Sequence, residues 1–403
     1  MNVRTGLEVV ASNQRHVLEG QRFALLMNQA SVSRDFRYSC DVLNDEFPGQ
    51  LVALFSPQHG FWGEQQANMI ESDHSVYEPL GLPVFSLYSR TRRPTEESLS
   101  NVDTLVIDLQ DVGTRVYTFI WTVKECLSAC AQLGKRVVIL DRPNPVGGTI
   151  AEGPMIQPGY ESFVGGAAVP MRHGLTIGEM ALLLNAESER PCRLEVVTME
   201  GWHRDMLWPR TGLPWIPPSP NMPSPDTAVV YPGQVLLEGT NVSEGRGTTL
   251  PFRLFGAPWI EPDAVLSRLG NAPRDSGVLL QPYRFRPTFD KYRGDVCSGF
   301  QIQIIDPQRV RSFRLTVEIL NVLADLYADH FKWLEPPYEY EYVKPPIDIL
   351  YGSDLLRRLL AQDGPLDSCE LGLACELDST AWWARVLPHL RYAESQVCGS
   401  RSC

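Results

Sequence analysis

Phe23-Ala24-Leu25-Leu26-Met27, a short apolar run that stops at the polar cluster Asn28-Gln29-Ala30-Ser31, carries the pattern that decides the fold. The pattern returns four times before residue 146. Leu51–Phe55 runs into Ser56-Pro57-Gln58-His59-Gly60, and Val84–Phe85 into Ser86-Leu87-Tyr88-Ser89. Thr104–Leu109 runs into Gln110-Asp111-Val112-Gly113-Thr114-Arg115, and Val137–Leu140 into Asp141-Arg142-Pro143-Asn144-Pro145. Short apolar runs bounded by turn residues read as buried strands. In an open α/β sheet, ligands bind beyond the carboxyl ends of the parallel strands, so these clusters converge on one pocket. The chain reads as an enzyme or a ligand binder.

Helix signals interleave with the strands. Thr5 and Glu8 have capping-box spacing and Gly20 can close the segment they open, while Trp121–Leu133 reads as a helix stopped by Gly134 just before the strand Val137–Leu140. This rhythm predicts an α/β fold: a Rossmann-like, mostly parallel sheet domain with right-handed crossovers, joined to a smaller α+β C-terminal domain. No G-x-G-x-x-G follows the first strand and no P-loop occurs, so neither nucleotide motif is expected. From Leu207 to Pro225 the chain holds seven prolines with Trp208 and Trp215 among them, a stiff segment that reads either as a surface wrap or as a pocket wall. After residue 274 the texture changes, with Phe300–Ile305 strand-like and Arg311–Phe331 helical. The expected division is 1–274 for the catalytic domain and 275–403 for the smaller domain that completes the cleft.

Composition narrows the function. At 403 residues, 43% hydrophobic and 21% charged, the chain can bury a substantial core. A net charge of -12 argues against a nucleic-acid partner, whose phosphates are neutralised mainly by Lys and Arg. The N-terminus lacks the apolar run of a signal peptide and no ~18-residue apolar stretch occurs, so a cytoplasmic protein without a membrane span is expected. Nine scattered cysteines fit reduced thiols, and neither they nor the seven histidines have zinc-ligand spacing; no metal and no cofactor are expected.

Seven ordered motifs carry a resemblance. They are Ser56–Glu64, Asp108–Thr118, Asp141–Pro145, Glu152-Gly153-Pro154, Arg172–Glu179, Pro218–Pro223 and Glu238–Thr248. Together the chain resembles the NamZ-like exo-β-N-acetylmuramidases, a glycoside hydrolase family long catalogued as a domain of unknown function, over nearly its whole length. The resemblance implies a two-domain enzyme with a cleft between the domains. It also implies removal of terminal β-linked N-acetylmuramic acid from the non-reducing end of peptidoglycan fragments, so the expected partner is a small carbohydrate or muropeptide. One departure is specific: where the family is expected to read Pro-Glu-His-Gly, this chain has Pro57-Gln58-His59-Gly60. An amide has no acid proton to give a leaving oxygen, so if that glutamate is the family's acid, the acid here is elsewhere.

Glycoside hydrolysis calls for one protonated carboxyl and one carboxylate. The catalytic candidates are Glu64, the nearest substitute for Gln58; Asp111, beside the close turn at Gly113; Glu152; and Glu244, in the Gly-rich stretch. Each has a structural alternative: a solvated loop side chain for Glu64, a turn former for Asp111, pairing with an arginine for Glu152 and a lock with Arg246 for Glu244. Candidate sugar contacts are Asn28, Gln58, His59, Tyr117, Asp141, Asn144, His173, Asn221, Glu238 and Asn241. Glu179 reads instead as the capping partner of Thr176, and Asp108 as part of a buried network. Muramic acid bears a lactyl carboxylate, which an arginine fork suits; Arg115, Arg172 and Arg246 are the candidates. Inversion, retention and attack by the substrate's own acetamido oxygen all stay open. So do three functions: a muramidase, a hydrolase of another amino sugar, and an inactive sugar-binding protein.

Overall fold

The computed structural model describes residues 2–65, 71–89, 91–362 and 364–394. Its larger sheet has seven strands: β1 (Phe23–Leu26), β2 (Leu51–Ser56), β3 (Ser75–Tyr77), β4 (Leu82–Ser86), β5 (Thr104–Ile107), β6 (Arg136–Leu140) and β7 (Arg193–Val197), in the order β3-β4-β2-β1-β5-β6-β7. Only the edge strand β3 pairs antiparallel; the rest are parallel. The central strands read as unbroken apolar runs because both faces are covered. Alternate side chains of one strand serve two different cores. Ala24, Leu26, Leu105, Ile107, Val137 and Ile139 enter one, whereas Phe23, Leu25, Val106, Val138 and Leu140 enter the other. Strand order reverses at β1 and β5, which places a switch-point crevice beyond their carboxyl ends.

The helix Phe119–Leu133 covers one face and ends at Gly134, whose φ of 65° is the left-handed C-cap that glycine adopts without a Cβ clash. The helix Ile177–Ala186 starts at the capping box read from the sequence: the Thr176 hydroxyl accepts the Glu179 N–H, and a Glu179 carboxylate oxygen accepts the Thr176 N–H. Among the described residues no helix is long and apolar enough to cross a membrane.

A second, antiparallel sheet is built from β8 (Leu254–Ala257), β9 (Val278–Phe285) and β10 (Cys297–Ile304) in the order β8-β10-β9. β8 precedes residue 275, so this unit begins earlier in the chain than the texture change suggests. Its strands pack with the helices Pro225–Gln234 and Ser312–Leu326, and Phe255, Phe300 and Leu320 belong to the same apolar core as Ile107 of the larger sheet. At the contact of those two helices a Cβ on Gly233 would stand 1.9 Å from the Ser312 carbonyl oxygen, so only glycine permits that approach. This close packing delivers the chain after residue 234 to the rim of the crevice.

Candidate active site

A polar cavity lies beyond the carboxyl ends of β2 and β5. Gln58 and His59 come from the loop after β2, and Val116–Phe119 from the loop after β5. Ser219, Asn221 and Met222 of the proline-rich segment form one wall. That wall is tied to the β1 loop, where Asn28 Nδ2 donates to the Pro218 carbonyl at 3.0 Å and Gln29 Nε2 to that of Pro217 at 2.9 Å. Glu238, Arg246, Tyr338 and Glu339 close the far side. This space of about 40 Å³ shares Glu238, Arg246 and Tyr338 with a neighbouring pocket of about 480 Å³ lined also by Glu244, Phe289, Asp290, Lys291 and Leu334.

Two of these carboxyl groups are held in opposite states. Glu238, 6% exposed, accepts Arg246 Nη2–H at 2.7 Å and the Tyr338 hydroxyl at 2.5 Å. Burial alone would push its pKa up, but the Arg246 charge and these two hydrogen bonds outweigh that and hold it below the usual carboxylate range. Glu339, 4% exposed, lacks such support. Burial first, and the neighbouring Glu238 charge second, push its pKa up to about 7 against the weaker pull of Arg246, Gln58 and Arg92. Its Oε2 has no hydrogen-bond partner among the described residues. An unpartnered buried carboxylate would be costly, so the group keeps its proton below about pH 7, well above the usual carboxylate range. Environments that split two carboxyl pKa values assign acid and base roles within one site.

The surrounding groups hold this pair in place. Arg246 bridges the two walls, with Nε 3.3 Å from Glu244 Oε1, and Lys291 Nζ donates to the Leu237 and Val242 carbonyls and to Glu244 Oε2 at 2.8, 3.1 and 2.8 Å. Glu244 therefore anchors the two cations. His59 sits at a φ of 75°, and its Nδ1 donates to the Gln65 carbonyl at 2.7 Å, which fixes the tautomer because a carbonyl can only accept. Burial and then the Arg246 charge lower its pKa to about 4, so the ring is neutral at pH 7. Thr118 Oγ1 donates to Gln58 Oε1 at 2.6 Å, which turns Gln58 Nε2 towards the Tyr88 hydroxyl at 3.3 Å.

Of the residues singled out from the sequence, Gln58, His59, Tyr117, Asn221, Glu238 and Arg246 line this cavity, and Glu244 lines the neighbouring pocket. Others are drawn elsewhere, each for a visible reason. Glu64 is exposed and curls over Gly60, outside the lining. Asp111 is buried in its own turn, where Oδ2 accepts Gly113 N–H at 2.7 Å and stands 3.7 Å from His173 Nε2. His173 is fully buried, with Nδ1 accepting the Leu175 N–H. Glu152 pairs with Arg172 at 3.1 Å, and Arg172 also donates to the Val146 and Val310 carbonyls. Arg115 spends its guanidinium on the carbonyls of Pro154, Val169, Leu350 and Tyr351. Asp141 accepts from Thr176, Gly178, Tyr392 and the Arg142 backbone N–H, while the Arg142 guanidinium engages Asp108. Asn144 bonds the Leu175 carbonyl and Val146 N–H, Asn28 also accepts Ala30 N–H, and Asn241 is tied to the backbone of His330 and Lys332.

Glu339 was not among the candidates. The stretch Glu335–Pro346 stands out only for its Pro, Tyr and Glu content, and nothing local says that it reaches back to a strand end more than 270 residues earlier.

Comparison with known proteins identifies the family. The family described as exo-beta-N-acetylmuramidase NamZ, N-terminal, matches residues 23–226, and its C-terminal counterpart matches residues 229–392. The peptidoglycan beta-N-acetylmuramidase NamZ of Bacillus subtilis (strain 168) is 42% identical over 332 residues, 82% of this chain and 80% of that protein. A crystal structure of a DUF1343 family protein from Bacteroides fragilis NCTC 9343 superimposes with a TM-score of 0.86 at 32% identity, covering 97% of this chain and 99% of the other. A second DUF1343 protein from the same source gives 0.74 at 27% identity, with coverage of 98% and 100%. Because both halves of the family description are matched in order and together span almost the whole chain, this protein belongs to the exo-β-N-acetylmuramidase NamZ family.

Proposed function

We propose that this protein is an exo-β-N-acetylmuramidase that hydrolyses terminal β-linked N-acetylmuramic acid from the non-reducing end of peptidoglycan fragments. The observation that carries the reading is the pair Glu238 and Glu339, buried around one cavity with pKa values pushed apart. One protonated carboxyl beside one carboxylate is what glycosidic cleavage needs. The relative's name supplies the sugar, and the family description supplies the exo mode. Thiols at Cys40, Cys126, Cys130, Cys192, Cys297, Cys369 and Cys375 suit a reducing, cytoplasmic setting, in which the substrates are fragments being recycled.

The test is release of chromophore from a chromogenic β-N-acetylmuramide against the matching β-N-acetylglucosaminide. Release from the muramide alone is expected. Equal release from both would make it a hydrolase of a broader sugar class, and muramic acid that protects against heat without turnover would make it a binding protein.

Arg246 is the one of the three candidate arginines whose side chain lines the cavity, so it is the reader of the lactyl carboxylate. Lysine cannot reproduce its planar fork. Arg246→Lys is expected to raise KM for the muramide about ten-fold more than KM for a lactyl-free analogue. Equal rises for the two sugars in steady-state kinetics would remove Arg246 from that role.

A further inference from the structure

Gln58 occupies the strand end where an acid was expected, and a different side chain stands beside it. Glu339 reaches the same cavity from the opposite side, carried by the stretch between Leu334 and Lys344. That stretch is anchored on both sides of the residue. Leu334 N–H donates to the Gly239 carbonyl at 2.9 Å, and the Tyr338 hydroxyl donates to Glu238. Next in the chain, the Tyr340 ring packs on Phe163 and Tyr88, and the Arg92 guanidinium stands 4.2 Å from the Tyr88 ring centre and 4.6 Å from that of Tyr340. Between these anchors Glu339 and Tyr340 adopt φ values of 45° and 66°. They are the two central residues of a tight turn closed by reciprocal backbone hydrogen bonds between Tyr338 and Glu341, each 2.9 Å, and a turn of this kind takes positive φ at both positions, which sets the Glu339 side chain at its tip. The outcome is a buried carboxyl at a cavity wall, its Oε2 without a hydrogen-bond partner among the described residues.

We infer that Glu339 is the proton donor of the cleavage, and that Gln58 is a positioning residue which orients it. This rests on the glycosidase reading above. In the step, the bond between the anomeric carbon and the glycosidic oxygen breaks. Its electron pair goes to that oxygen, which takes the Glu339 proton. Water then supplies hydroxyl to the anomeric carbon, and its remaining proton restores the Glu339 carboxyl. The charged and titratable groups facing Glu339 are Glu238, Arg246 and Arg92, with the tyrosines at 88, 231 and 338. Burial first, and then the Glu238 charge, keep the proton on in the resting site, while Arg246, Gln58 and Arg92 favour the carboxylate formed after transfer.

The experiment compares two leaving groups, the unactivated muramyl-glucosamine disaccharide and a dinitrophenyl muramide that departs without protonation. Glu339→Gln is expected to lose about 100-fold or more on the disaccharide and less than about ten-fold on the aryl glycoside. It should also abolish the alkaline fall in kcat/KM near pH 7. Glu339→Asp, which keeps a carboxyl, should retain that limb, so a folding defect in one variant does not decide the matter. Gln58→Glu sets a like charge beside Glu339 and should move the limb to higher pH without raising the disaccharide rate. Equal losses of Glu339→Gln on both substrates, or a faster disaccharide reaction in Gln58→Glu, would overturn the assignment while leaving the muramidase reading intact. Wild-type protein that cleaves neither substrate would overturn both.

Discussion

Replacing Glu238 with glutamine is expected to lower kcat on muramides by two to four powers of ten and, at the same time, to shift the alkaline limb of the pH profile to lower pH. The first effect follows from loss of the carboxylate that must attack, activate water or face the developing positive charge at the anomeric centre. The second follows from Coulomb's law. Glu238 is the largest charged contributor to the raised pKa of Glu339, so neutralising it lets Glu339 ionise more readily. A general acid works only while protonated, so activity then falls at a lower pH than in the wild type. Arg246 loses one of two carboxylate partners but keeps Glu244, and Lys291 is untouched, so the fold should hold. The check is a set of kcat and kcat/KM profiles from about pH 5 to 9, beside a thermal melt of each protein. A limb that stays in place while kcat collapses would mean that Glu339 is not the group whose titration limits the rate.

The sequence made the sheet legible because each buried strand is a run of apolar residues closed by turn chemistry, and both signals are local. Phe23–Leu26, Leu51–Ser56, Thr104–Ile107 and Arg136–Leu140 all fall where such runs lie. The helix caps were legible for the same reason, as Thr176 and Glu179 illustrate. The strand-end rule also brought Gln58, His59, Tyr117 and, through the Gly-rich stretch, Glu238 and Arg246 to one cavity. What it could not supply is direction. Asp141, Asn144, His173 and Arg172 stand at or near strand ends too, yet turn inward to satisfy backbone groups that burial would otherwise leave unpaired. Nor could it supply distance. Glu339 enters from the far side of the cleft in a segment with neither helical nor strand period, and only the packed structure closes that gap.

Arg115→Ala is expected to destabilise the folded chain by about 4 kcal/mol while leaving sugar recognition in the folded molecules unchanged. The side chain is wholly buried, and among the described residues no carboxylate pairs with it. Instead, Nη1 donates to the carbonyls of Pro154 and Val169 at 2.6 and 2.9 Å, and Nη2 to those of Leu350 and Tyr351 at 2.7 and 2.9 Å. The first two belong to loops of the larger sheet unit, and the last two to the end of the helix Pro346–Tyr351, so one guanidinium pins that helix to the sheet. Burial pushes its pKa down to about 9, which still leaves it charged at neutral pH. Charge-assisted hydrogen bonds contribute about 1.5–3 kcal/mol each, and alanine would also leave four carbonyls without their donor. Water entering the vacated space and local relaxation recover part of that, so the net falls well below the simple sum. The measurement is urea unfolding at pH 7, with the midpoint moving and the slope unchanged, paired with KM for a muramide under native conditions. A midpoint like that of wild type together with a ten-fold rise in KM would reverse the assignment and make Arg115 the reader of the lactyl carboxylate. The geometry argues against that outcome, because a guanidinium already shared among four carbonyls and sealed from the cavity has no direction left in which to meet a substrate.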